Sequence, residues 1–253
     1  MKKLMCRVSK TCTLRTTAAA LVLLLGLAPL HQASAQSFCA SDGQPLPVLL
    51  MERFINADCP TCWQDPATPQ ARAEHAVLDW VVPNDAGSKG DDAPLSVVAN
   101  RDGLARLETL SKTLPQDTLT STQLVAGLQG LNNRTTLRVA HGLPVSGYLG
   151  VSIELKPVPQ AARKQHWTAW LALVETLAPG TEGTPVARSL VRNAFQVAWH
   201  GEPKPLKTGQ NRFFEARSMR IAPGVNPDQL RLVGWVEDAK GRVLLTAQSA
   251  CAN

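Results

Sequence analysis

From residue 135 to residue 249 the chain is a succession of short apolar or alternating runs closed off by turn residues, and no other feature restricts its fold as much. The runs lie near 135–141, 148–155, 167–175, 190–199, 212–221, 230–237 and 242–249. Between them stand Pro157–Pro159, Ala178-Pro179-Gly180, Gly201–Pro205, Pro223-Gly224 and Lys240-Gly241. Short strands punctuated in this way predict an antiparallel β-sandwich. Asp238-Ala239-Lys240-Gly241 has the composition of a hairpin turn.

The preceding part of the chain reads differently. Pro47–Phe54 is a short, mostly buried strand, and Cys59-Pro60-Thr61-Cys62 follows it across Asn56-Ala57-Asp58. Thr68 with Pro69 predicts the start of a helix running from Gln70 to about His75. Ala76–Val82 is a second apolar strand, which makes a β–α–β unit with the cysteine pair at the first strand-to-helix junction. Leu95–Ala99 reads as a third strand. Asn100 can cap a helix carrying Leu104, Leu107, Leu110 and Leu114. Thr120 or Ser121 can cap another, with Leu124, Leu128 and Leu131 on one face and Asn132-Asn133 at its end. The expected organisation is α+β: a reduced β–α–β part over 36–133 and a β-sandwich over 134–253.

Residues 1–35 have the parts of an export signal: a basic start (Lys2, Lys3, Arg7, Lys10, Arg15), an apolar run Ala18–Leu30, and Ala33-Ser34-Ala35 as cleavage site. A periplasmic or secreted protein is expected, with Gln36 as its first mature residue and no transmembrane span after cleavage. Five of the 26 basic residues and none of the 20 acidic ones precede residue 36, so the remainder carries a net charge of about +1. That charge gives no support to nucleic-acid binding.

Of six cysteines, Cys6 and Cys12 lie in the leader. Cys39, Cys59, Cys62 and Cys251 remain, an even set that implies disulfides in an exported protein. Four cysteines allow three connectivities, and the most economical joins Cys59 to Cys62 and Cys39 to Cys251. In a chain-entropy view the second, long loop would contribute about 4–5 kcal/mol.

The C-x-x-C pair is the one local motif with specific chemistry. Cys59 at a helix N-terminus would be the low-pKa nucleophile and Cys62 the resolving thiol, while the charges of Asp58 and Asp65 oppose the thiolate. Glu52 is a candidate proton acceptor, set against a strand-edge glutamate facing water. Zinc at the pair would need two further ligands, and only His75 is near in sequence, so no metal is expected. His141, His166 and His200 are scattered over the β region without clustered partners. No G-x-S-x-G elbow, P-loop or G-x-G-x-x-G fingerprint occurs. Asn133-Arg134-Thr135 has the N-x-[ST] form. Trp167, Trp170, Trp199 and Trp235 fall on strands, where core packing is the commoner use than a binding face.

Glu52-Arg53-Phe54-Ile55-Asn56-Ala57-Asp58-Cys59-Pro60-Thr61-Cys62 resembles the segment E-x-F-x-x-x-x-C-x-x-C that opens a family of secreted, thioredoxin-like proteobacterial proteins of unknown function. Trp167–Glu175, Ala187–Phe195 and Leu232–Cys251 are similar to strands of that family's C-terminal β domain. The resemblance implies a thioredoxin-like unit and a cis-proline loop facing the cysteines, for which Pro94 and Pro144 are candidates. Two functions follow as expectations. One is thiol–disulfide exchange through Cys59 and Cys62, without a cofactor, on exported proteins with thiols or disulfides. The other is a non-enzymatic envelope or secreted binding module stapled by two disulfides. Metal delivery through Cys59 and Cys62 is a third, weaker reading.

Overall fold

The computed structural model describes residues 38–84, 93–127, 135–200 and 211–251, the side chain of Ala161 excepted. Residues 1–37, 85–92, 128–134, 201–210 and 252–253 lie outside the described residues, and with them the expected export signal and its cleavage site, Leu128, Leu131 and Asn133-Arg134.

The chain is mostly β, in two sheets. In order the strands are β1 (Cys39–Ala40), β2 (Leu49–Asn56), β3 (His75–Val82), β4 (Thr118–Leu124), β5 (Thr136–His141), β6 (Tyr148–Lys156), β7 (Trp167–Leu177), β8 (Arg188–Trp199), β9 (Phe213–Arg220), β10 (Leu230–Glu237), β11 (Val243–Gln248) and β12 (Ala250–Cys251). The short helices are α1 (Pro60–Trp63), α2 (Asp102–Thr109) and α3 (Gln160–Lys164). One sheet has the order β12-β1-β5-β6-β9, the other β11-β10-β7-β8-β3-β2-β4. The first is antiparallel throughout. In the second, β2 and β3 are parallel over eight paired positions and β3 meets β8 in parallel at Asp79↔Leu190. Strands from both sides of residue 134 thus share the larger sheet.

The two faces of the larger sheet are separated by the period-two alternation of its strands. On one face Leu50, Phe54, Leu78, Trp80, Trp170, Val174 and Trp235 pack with Leu107 of α2. Gly103 lets that helix approach, since a Cβ there would meet Val82 Cγ2 at 2.7 Å. The opposite face is covered in two places. Leu171, Leu173, Leu232 and Val236 meet Val139, Leu149, Val151 and Ile153 of the smaller sheet. Gly234 permits this contact, because a Cβ would lie 2.5 Å from Val139 Cγ1. Farther along the same face, Ile55, Val81, Leu177 and Leu190 pack under Trp63, Ala93, Leu95 and Val98. The five strand tryptophans, Trp80, Trp167, Trp170, Trp199 and Trp235, are core residues, each no more than 4% exposed. Burying one large apolar side chain contributes about 1.5–3 kcal/mol.

The sandwich strands form where the alternation places them, and Asp238 closes the last hairpin, taking the amides of Lys240 and Arg242 on Oδ1. Three expectations over 68–124 fail. No helix forms over 70–74: the Thr68 hydroxyl turns back to the Asp65 carbonyl instead of capping, and the Gln70 side chain takes the Thr68 carbonyl that a helix would have used. Residues 93–98 are successive turns rather than a strand. Thr118–Leu124 is an edge strand, not a helix: its threonines suit a pleated edge paired with β2. Helix α2 does form, and Asn100 Oδ1 accepts from the Asp102 amide. β2 and β3 are joined through the cysteine segment, but the helix between them is a single turn. A thioredoxin β–α–β unit is therefore not clearly present. The cis peptide bond among the described residues is Lys156–Pro157, not one at Pro94 or Pro144.

Candidate functional site

Cys59 and Cys62 are joined in a disulfide, with Cα atoms 5.3 Å apart, directly after β2. The turn is set by local bonds. The Cys59 amide donates to Asn56 O at 3.0 Å, and the Cys62 amide to Cys59 O at 3.1 Å. Asn56 stands at the end of β2, takes the Asp58 amide on its side chain, and donates to Pro115 O. Asp58 accepts from Asn84. Pro60 opens α1 with its φ fixed for a helix and its missing N–H not needed.

Both cysteines are half-buried, and Thr61 between them is exposed. Cys59 Sγ accepts from the Cys62 amide at 3.3 Å and lies 3.4 Å from Thr61 Oγ1. The amide is a donor to Cys59 Sγ, and a bond of that kind favours charge on this sulfur. Because α1 has only four residues, its dipole adds little, and the expected helix N-terminus contributes through this amide instead. Cys62, Thr61, Gln64, Asp65, Pro66, Asp117 and Thr118 line a wide-open groove of about 580 Å³. One wall of it, Asp117 and Thr118, is the start of edge strand β4.

Beneath the cysteine turn lies a buried charge network. Asp79 is wholly buried in the middle of β3, opposite Arg53 on β2. Arg53 donates to its two oxygens at 2.6 and 2.8 Å, and the Ser189 amide donates at 2.8 Å. Arg188 Nη1 stands 3.7 Å away. The same guanidinium donates from Nη2 to Trp63 O at 2.6 Å and Cys62 O at 3.4 Å, and lies 4.9 Å over the Trp63 ring. Burial pulls the Arg188 pKa down, and Asp79 offsets part of that. Trp63 is held in turn by a bond from its indole N–H to Glu182 O at 2.7 Å. Asp79 and Arg188 thus fix the floor on which Cys62 sits.

Glu52 is not part of this floor. It points to the opposite face of the sheet, among Leu50, Phe54 and Leu78, and is 1% exposed. Arg106 of α2, fully buried, donates to both its oxygens at 2.9 and 2.7 Å and pairs with Glu237 at 2.7 Å. The guanidinium also lies about 5 Å from the rings of Trp170 and Trp235. Burial opposes the charge of Arg106, but the two glutamates outweigh it and raise its pKa. Glu52 is therefore neither a water-facing edge residue nor within the cysteine site: a full charge cannot be buried unpaired, and Arg106 supplies the partner.

Among the described residues no third Cys, His, Asp or Glu gathers with Cys59 and Cys62 in metal-ligating geometry. His75 is 3.9 Å from Glu74. His166 and His200, far apart in sequence, have ring centroids 4.9 Å apart. Sequence reasoning passed over Arg53, Asp79 and Arg188. One signal was available: Asp79 is the only charge in the apolar run Ala76–Val82, and such a residue is buried only when paired.

No family model matches the chain, and no curated protein matches it. Among solved structures, HBP35 of Porphyromonas gingivalis is similar, with 10% identity over 81% of this chain and 76% of that one and a TM-score of 0.45. A likeness at that level carries no functional argument.

Proposed function

We propose that this protein exchanges thiols and disulfides with other exported proteins through Cys59 and Cys62. One observation carries the reading: the Cys59–Cys62 disulfide is half-exposed beside an open groove while its other side rests on a rigid, buried Asp79–Arg188 support. A reactive pair needs access on one side and fixed geometry on the other. The two disulfides suit an oxidising compartment, in keeping with the leader-like sequence of residues 1–35.

In the reducing direction, the Cys59 thiolate attacks one sulfur of a substrate disulfide. A Cys59–substrate disulfide forms, the other substrate sulfur leaves as a thiolate, and water protonates it. The Cys62 thiolate then attacks Cys59 Sγ, which reforms the pair and releases the second substrate thiol. Two electrons pass to the substrate, and reversal of the same steps oxidises a dithiol. No cofactor takes part. The amide donating to Cys59 Sγ favours its thiolate, and Arg188 holds the carbonyl of Cys62 so that its sulfur stays in reach.

The experiment uses the full chain carrying Cys62→Ser, reduced and then exposed to glutathione disulfide. A single glutathione adduct on Cys59, formed while the protein remains folded and removed by dithiothreitol, is the expected result. Absence of the adduct until the protein unfolds overturns the reading. The one-turn helix favours the competing function, a disulfide-stapled binding module in which this pair is only structural, and that module would give the second result.

A further inference from the structure

The other disulfide stands beside a buried histidine that thiol exchange at Cys59 leaves unused. In the smaller sheet Cys39 on β1 is opposite Cys251 on β12 and also opposite His141 on β5. Paired positions share a face, so the three side chains form one row across adjacent strands. Their ligand atoms all lie within 4.8 Å of one another. Cys39 and His141 are 1% and 4% exposed, while Cys251 at the sheet edge is open to solvent.

The imidazole is oriented as a ligand would be. Its Nδ1 lies 2.9 Å from the carbonyl oxygen of Gly142, which requires Nδ1 to be the N–H donor. Nε2 then carries the lone pair; it is buried and no group donates to it, and the Leu230 backbone beside the ring can only accept. A ring nitrogen left bare in this way is a cost to the fold as it stands. A backbone carbonyl fixing the far nitrogen is the usual support of a metal-bound histidine.

We infer that reduction of the Cys39–Cys251 disulfide converts this row into a copper(I) site formed by Cys39, His141 and Cys251. Reduction by an external dithiol breaks the S–S bond, gives two thiols, and leaves the donor as its disulfide, with two electrons and two protons transferred. Copper(I) binding then displaces the thiol protons. Two thiolates and one imidazole make a soft, three-donor set, which suits copper(I). A structural zinc site takes four protein ligands, and among the described residues no fourth joins the row, so zinc here would have to complete its shell with water whereas copper(I) would not. Three donors around a metal at about 2.3 Å stand about 4 Å apart; the three ligand atoms lie within 4.8 Å of one another, and the two sulfurs, bonded now, move apart once the S–S bond is broken. The bound ion would restore the tie between β1 and β12 that reduction removes. The inference does not rest on the reading of Cys59 and Cys62.

The test uses the full chain with Cys59→Ser and Cys62→Ser, reduced without oxygen and titrated with copper(I) held by bicinchoninate. One copper(I) per chain should be withdrawn from the chelator, with two sulfur and one nitrogen scatterers in the X-ray absorption spectrum. Adding Cys251→Ser should abolish withdrawal, and adding His141→Asn should weaken binding at least tenfold. Failure to compete with the chelator, unchanged affinity in His141→Asn, a preference for zinc, or loss of the near-ultraviolet tryptophan signal on reduction each overturns the assignment.

Discussion

Substitutions in the Glu52–Arg106–Glu237 cluster should separate structural charge from redox chemistry. Arg106→Met leaves two carboxylates buried within a few ångströms of each other without a cation. Breaking a buried pair by removing one partner costs about 3–5 kcal/mol. Because Arg106 serves both Glu52 and Glu237 and lies over Trp170 and Trp235, the upper end applies. Glu52→Gln is different. It keeps the side-chain shape and leaves Arg106 paired with Glu237, but the amide has a single acceptor oxygen, so one charge-assisted bond weakens to an ordinary one and the other is lost. At about 1 kcal/mol lost per bond, the cost is about 2 kcal/mol. Urea unfolding of the oxidised protein measures both. With a slope near 3 kcal/mol per molar, the midpoint should fall by about 1.5 M for Arg106→Met and about 0.7 M for Glu52→Gln. The alkylation rate of reduced Cys59 should be unchanged in Glu52→Gln, since that carboxylate faces away from the sulfurs. Equal destabilisation by the two variants, or a Cys59 rate altered severalfold by Glu52→Gln, would refute the reasoning.

Three further outcomes are expected. Arg188→Met removes a cation beside the Cys62 carbonyl and should make the Cys59–Cys62 disulfide harder to reduce, by about tenfold in the glutathione equilibrium or about 30 mV; Arg188→Lys should recover part of the shift. Gly234→Ala should lower stability by about 1–3 kcal/mol, read from thermal unfolding, because the new methyl meets Val139 Cγ1 at 2.5 Å and Ile153 Cδ1 at 3.1 Å. Burial lowers the His141 pKa below its ordinary 6.5, with the Gly142 and Leu230 backbone offsetting part of the effect. The unfolded state therefore binds the extra proton first, so this contribution is present above about pH 6.5 and is lost as pH falls through the lowered value. Unfolding of the oxidised chain followed from pH 8 to pH 5 should show that slope, and His141→Asn should flatten it.

The sandwich strands were legible because short runs, alternating as in Tyr148–Lys156 or apolar throughout as in Ala169–Val174, end at turn residues, and Gly241 and Pro223-Gly224 mark where the chain must turn. The disulfide pairing was legible from cysteine count and economy. The region 68–124 was not. Leucines at helical spacing beyond Thr120 matched a helix, yet β2 had an open edge, and pairing outweighed local preference along Thr118–Leu124. At the site, the cysteines announced themselves, while the supporting charges did not, because Asp79 and Arg188 are 109 residues apart and meet only through the β3–β8 pairing. Glu52 was misplaced for a related reason: spacing from the cysteines says nothing about which sheet face a residue takes, and Arg106 on α2 decides it.

The reduction potential of the Cys59–Cys62 pair, measured in the folded chain by equilibration with glutathione and alkylation of free thiols, tests the proposed exchange most directly. A potential between about −270 and −120 mV, the range of known exchange catalysts, is the expected result. A value below about −300 mV, or a pair that glutathione reaches only after unfolding, would contradict exchange and leave the pair as a structural staple.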